Sequence, residues 1–150
     1  MQTEEISIDM PSLYHSVVQS NLAALFYIGY GTEYRALTQP TLLLNDWESE
    51  PDLAIFPKRP LNWVLDEIRI TEIPLCIIEI ISPRQGTQEI KEKFVKYFEA
   101  GVPSCWLINP LMETVQIYSS DWQHKSFSKE HTYIQDSSIN VSIEFAKIFS

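Results

Sequence analysis

Between Pro74 and Pro83 the chain reads Pro-Leu-Cys-Ile-Ile-Glu-Ile-Ile-Ser-Pro, a β-branched run broken only by Glu79. Such a run predicts a central strand buried on both faces. Other elements fall around it. Leu13, Val17, Leu22, Leu25 and Phe26 recur at helical spacing after Pro11-Ser12, which predicts a helix ending before Gly29 and Gly31. His15 lies on that helix and reads as a surface or cap-like histidine. Residues 32–44 read as two short strands or a hairpin-like pair punctuated by Gln39-Pro40, and residues 45–50 as a polar connection. Pro51-Asp52 leads into a short strand, Leu53–Phe56, closed by Pro57; proline is tolerated where no ladder donor is needed. Residues 58–71 have no clean period and read as a loop with at most one turn of helix.

After the Glu79 strand, Thr87 is placed to cap a helix over 88–100. Ile90, Phe94, Tyr97 and Phe98 form its apolar stripe, with Gly101 and Pro103 as stop signals. Cys105–Ile108 is a second buried strand, and Thr114–Tyr118 a half-buried one reached through a turn at Pro110–Glu113. Weaker strands are expected at Lys125–Phe127 and Thr132–Ile134, and a short strand or a helical turn over Val141–Phe149. Residues 1–10 are polar and weakly patterned, the signature of a loose arm.

A strand, a helix and a second buried strand in succession predict a right-handed crossover. The class is therefore α/β or α+β: a mixed sheet flanked by helices, in a single domain over 1–150. Hydrophobic residues at 45% and eighteen aromatic side chains fit a folded globular chain. No apolar run approaches the roughly 18 residues of a membrane span, and no signal-peptide pattern opens the chain, so no membrane association and a cytoplasmic location are expected. Cys76 and Cys105 both sit in apolar runs and read as small buried hydrophobes in a reducing compartment. The net charge of −9 counts against a dedicated sequence-specific DNA reader, whose affinity rests on Lys and Arg meeting phosphates.

Chemistry starts from Glu79. An ionised carboxylate in a buried strand costs several kcal/mol unless a metal, a cation or a hydrogen-bond donor compensates it. Asp52 opens a short strand, and Lys93 borders the apolar stripe of the following helix, one turn after Glu89. Two carboxylates from neighbouring strands are hard ligands suited to Mg²⁺ or Mn²⁺, and a lysine beside them can orient a water or stabilise phosphate charge. Glu89 is spaced to pair with Lys93 at i+4. Spacing alone leaves the bland alternative open: Asp52 as a turn residue, Lys93 on a solvated face, and Glu79 paired with an unrelated donor.

Pro51-Asp52, then Glu79-Ile-Ile-Ser-Pro83, then Glu92-Lys93-x-x-x-Tyr97-x-x-x-Gly101-Val102, then Trp106-Leu-Ile-Asn-Pro110, taken in order, resemble the Uma-two family from about Met10 to the C-terminus. The resemblance implies a restriction-endonuclease-like fold of the PD-(D/E)xK type. It makes Asp52 and Glu79 the paired metal ligands, adds the main-chain carbonyl of Ile80 as a further ligand, and takes the lysine from the helix as Lys93, because Ile81 stands where that lysine usually follows the second acid. His15 matches a histidine near the start of the family's first helix. Departures are Glu89 for a usual Asp, Asn109 for Asp, Ser104-Cys105 for an acidic-aromatic pair, and Thr41 where many members carry an acid.

The implied activity is Mg²⁺- or Mn²⁺-dependent hydrolysis of nucleic acid, DNA foremost, with Asp52, Glu79, Lys93 and Glu89 as the catalytic set. A homodimer or higher homo-oligomer is expected, since duplex cutting by this fold often uses a pair. The alternative is a catalytically degenerate module kept for oligomerisation or partner binding. A third reading, hydrolysis of a small phosphorylated molecule, has no positive signal of its own.

Overall fold

A computed structural model describes residues 12–150; the arm read over residues 1–10 and the helix entry at Pro11 lie outside the described residues. Helix α1 spans Leu13–Tyr30 and is followed by strands β1 (Tyr34–Thr38), β2 (Leu42–Leu44), β3 (Trp47–Ser49), β4 (Leu53–Pro57) and β5 (Cys76–Ile80). Helix α2 (Thr87–Glu99) then leads to β6 (Ser104–Asn109), β7 (Thr114–Ser119), β8 (His124–Phe127), β9 (Tyr133–Asp136), β10 (Val141–Glu144) and the single turn α3 (Phe145–Ile148). Six strands form the main sheet in the order β1-β4-β5-β6-β7-β8. Its one parallel pair is β5–β6, joined by α2; every other neighbour is antiparallel.

Strand β5 is buried at all five positions, and period two divides its side chains between two cores. Cys76, Ile78 and Ile80 pack with Val18, Leu22 and Phe26 of α1 and with the β9–β10 hairpin. Ile77 packs on the other face with Ile90, Phe94 and Tyr97 of α2. Glu79 shares the α2 face. The layers are thus α1, α3 and a hairpin on one side, and α2 with the β2–β3 hairpin on the other.

Several local expectations are corrected. Helix α1 runs through Gly29, because an interior glycine costs only about 1 kcal/mol against alanine and Phe26 anchors that turn on Trp106, ring centroids 5.8 Å apart. Its buried stripe is His15, Val18, Leu22 and Phe26 rather than one including Leu13, which is exposed. His15 is therefore buried, not a surface histidine. β1 and β2 do not pair with each other: β1 pairs β4, whereas β2 pairs β3, which lies wholly within the expected polar connection at residues 45–50. The turn between β2 and β3 is Asn45-Asp46, with φ of 49° and 58°, a two-residue hairpin geometry that Asn and Asp tolerate. Thr87 is the first helical residue rather than the cap; Gly86 holds the cap position and offers no side chain. Residues 58–71 contain a turn at 62–65 and no helix. The C-terminal segment contains both the expected strand and the helical turn.

Candidate active site

Asp52 and Glu79 meet because β4 and β5 are antiparallel with Leu53 opposite Ile78; one residue further, the register sets Asp52 beside Glu79. Asp52 lies just outside the strand and is fixed from several sides. One carboxylate oxygen accepts the Ile80 N–H at 2.7 Å and the other lies 3.0 Å from His15 Nε2. Its carbonyl accepts Gln19 Nε2 at 2.9 Å and the Gln39 N–H at 3.0 Å. Ser12 caps α1 by accepting the His15 N–H at 3.2 Å, which sets where the imidazole enters the sheet.

A cleft of about 350 Å³ opens here, lined by Asp52, Glu79 and Lys93 together with His15, Ser49 and Tyr97. Of the residues singled out from sequence, the structure brings Asp52, Glu79 and Lys93 to one cavity and adds His15. Glu89 does not line it. It makes no ion pair with Lys93 either, and stands in the first turn of α2, where its charge complements the helix dipole. The Ile80 side chain faces the α1 core, so only its main chain can serve the cleft; its N–H is held by Asp52.

Glu79 is 4% exposed, and its field reaches both sides of the cleft wall. Burial above all, and then the Glu79 charge, push the Tyr97 hydroxyl well above its ordinary pKa of 10.0, against the opposing hydrogen bond to Ser49. The same two causes raise the Cys105 thiol. Tyr97 thus stays protonated and donates to Ser49 Oγ at 2.9 Å. Trp47 packs on Tyr97, ring centroids 4.8 Å apart, and carries Lys96 Nζ 5.0 Å above its ring. Among the described residues, His15 Nδ1 is a buried nitrogen with no hydrogen-bond partner.

Sequence reasoning missed the burial of His15 in the cleft wall, and with it Ser49, the Tyr97 hydroxyl and, behind the cleft, Gln19, which holds the Asp52 carbonyl. The i, i+3, i+7, i+11 spacing of His15, Val18, Leu22 and Phe26 was a readable signal for the first. Nothing local marks Ser49, which depends on the β2–β3 hairpin folding over α2.

Beside Asp52 and Glu79 the cleft is lined by Glu48, Glu50 and the hydroxyls of Ser49 and Ser82, and by no thiolate. That chemistry fits a hard divalent ion such as Mg²⁺ or Mn²⁺. Among the described residues no three His, Cys, Asp or Glu side chains converge as metal ligands, so water and phosphate oxygens would fill the remaining positions, as is usual for Mg²⁺.

A mixed sheet with one parallel crossover, helices on both faces and an acidic cleft beside the central strand define a nuclease-like α+β protein. The chain belongs to the Uma2 (Uma-two) family, described as "Putative restriction endonuclease", whose family model matches residues 2–146. Among solved structures it is similar to one described as a putative nuclease belonging to DUF820 from Anabaena variabilis ATCC 29413. The TM-score is 0.81 at 21% identity, covering 96% of this chain and 84% of that one. No curated protein matches the chain. Among the described residues no helix is long and apolar enough to cross a membrane.

Proposed function

We propose that the cleft hydrolyses phosphodiester bonds of nucleic acid, with DNA as the foremost substrate. The observation carrying this reading is the convergence of Asp52, Glu79 and Lys93 on one cavity in a chain of this family. Asp52 and Glu79 are the side chains that would hold Mg²⁺ or Mn²⁺, with the Ile80 carbonyl as a further donor. When bound, such an ion supplies a low-pKa water and charge neutralisation on the phosphate. Asp52 is preorganised for this by His15 and the Ile80 N–H, which fix both of its oxygens. Lys93, half-buried at the rim, orients the attacking water and offsets charge on the phosphate. Tyr97, kept protonated, holds Ser49 and closes the wall.

Incubating the protein with plasmid, single-stranded DNA and RNA, with Mg²⁺ or Mn²⁺, tests this. Cleavage by wild type should fall at least about a hundredfold in Asp52→Ala, Glu79→Ala and Lys93→Ala. Equal behaviour of wild type and variants sinks the proposal.

A second reading, a catalytically silent module, is favoured by the missing third ligand side chain among the described residues. Titration calorimetry separates the two: a catalytic site binds Mn²⁺ in a way that Asp52→Ala and Glu79→Ala abolish, whereas a silent one gives no metal heat.

A further inference from the structure

Between β4 and β5 the chain makes a long excursion over residues 58–75, on the side of the sheet edged by β1. There Trp63 and Val64 are each 89% exposed, Ile68 82% and Leu65 73%. The excursion bounds a groove of about 820 Å³ whose floor includes Arg35, Leu37 and Phe56. It is not a loose tether. Ile70 exchanges main-chain bonds with the β2 segment, donating to the Thr41 carbonyl and accepting from Leu43, both at 2.9 Å. Arg59 pairs with Glu72 at 3.0 Å, and Arg35 Nη1 donates to the Arg59 carbonyl at 2.8 Å. A braced base therefore holds large apolar side chains out in water, the signature of an interaction surface.

Charge decides what covers it. The chain carries −9, so two copies repel over most of their surface. Residues 58–73 are the exception: Lys58, Arg59 and Arg69 balance Asp66, Glu67 and Glu72, a net charge of zero. Among the described residues Arg35 on the groove floor makes no ion pair, and neither do Asp66 and Glu67 on the loop, although Asp66 accepts the Glu67 N–H at 2.8 Å. A two-fold axis that set the Arg35 of each copy against Asp66 and Glu67 of the other would form that pairing twice. A nucleic acid finds no net positive potential there. Trp63, Val64, Leu65 and Ile68 form a contiguous run of exposed apolar side chains of the kind that a stable interface buries at its centre. We infer that residues 58–73 and the groove beside β1 form an isologous interface with a second copy of this chain.

Sedimentation velocity of the full chain tests this, independently of any nuclease activity. Wild type should sediment as a dimer at micromolar concentration. Trp63→Asp combined with Ile68→Asp should weaken dimerisation about a hundredfold, with an unchanged circular dichroism spectrum, since both side chains are exposed. Arg35→Glu alone should weaken it roughly tenfold, and adding Asp66→Arg and Glu67→Arg should restore it. A monomeric wild type, or a Trp63/Ile68 variant that dimerises like wild type, overturns the inference. So does a monomer whose affinity for single-stranded DNA drops on Trp63→Ala, which would make the loop a stacking platform instead.

Discussion

Asp52 does little by itself; its geometry belongs to His15. The Ile80 N–H holds one carboxylate oxygen and His15 Nε2 the other, so the carboxylate plane is fixed before any ligand arrives. Yet His15 leaves Nδ1 buried without a partner among the described residues, and a buried unsatisfied polar atom costs about 1–3 kcal/mol. The residue contributes position at the expense of stability, which separates two measurements. His15→Phe removes both the orphan nitrogen and the bond to Asp52, whose side chain is 14% exposed and so within reach of water. Unfolding in urea should place this variant within about 1 kcal/mol of wild type. Its cleavage rate constant should fall about ten- to a hundredfold with KM nearly unchanged, and His15→Gln, whose amide can still donate, should recover part of the rate. A His15→Phe protein that cleaves at the wild-type rate would remove His15 from the site.

At the scale of elements, the centre of the sheet was legible and its accessories were not. β5 and β6 are continuous apolar runs closed by proline. α2 has an apolar stripe ended by Gly101, whose φ of 103° suits glycine. Such signals are local, so the crossover could be read without the fold. The β2–β3 hairpin has three residues per strand and is tied down by Ile70 from a distant segment; no local period carries that. The burial of His15 likewise follows from how α1 sits on the sheet, and a stripe displaced by a residue or two exchanges inside for outside. A third long-range device is the buried carboxylate of Asp136 on β9. One of its oxygens accepts Trp106 Nε1 at 2.7 Å and the Ser104 hydroxyl on β6, while the other accepts the Ser138 N–H at 3.0 Å. It pins the β9–β10 hairpin to the sheet under α1. Asp136→Ala strands the Trp106 and Ser104 donors in the core, and should destabilise the protein by about 3 kcal/mol in urea unfolding. A cost below about 1 kcal/mol would mean that apolar packing alone seats the hairpin.

For the whole molecule, the core couples to the cleft through protons. Burial raises the Cys76 and Cys105 thiols above their ordinary 9.0 and the Tyr97 hydroxyl above its ordinary 10.0. An unfolded chain releases these protons near the ordinary values, while the native protein keeps them. Above those values the native state binds more protons than the unfolded one, so stability falls as pH rises. Each such group contributes a slope of about 1.4 kcal/mol per pH unit until its native value is reached. Thermal melts in reducing buffer should therefore show stability fully present below pH 9, a first decline from pH 9 as the thiols ionise in the unfolded chain, and a steeper one from pH 10. Cys76→Ala with Cys105→Ala should abolish the first break and leave the second; its persistence in the double variant would exclude the thiols as its cause. Glu79 is the second cause of the rise at both Cys105 and Tyr97. Glu79→Gln should accordingly bring both native values down, so that less stability is lost at high pH than in wild type. That shift needs no substrate and no metal. It reads the charge on Glu79 directly, and so tests whether the carboxylate at the centre of the sheet is ionised in the folded protein.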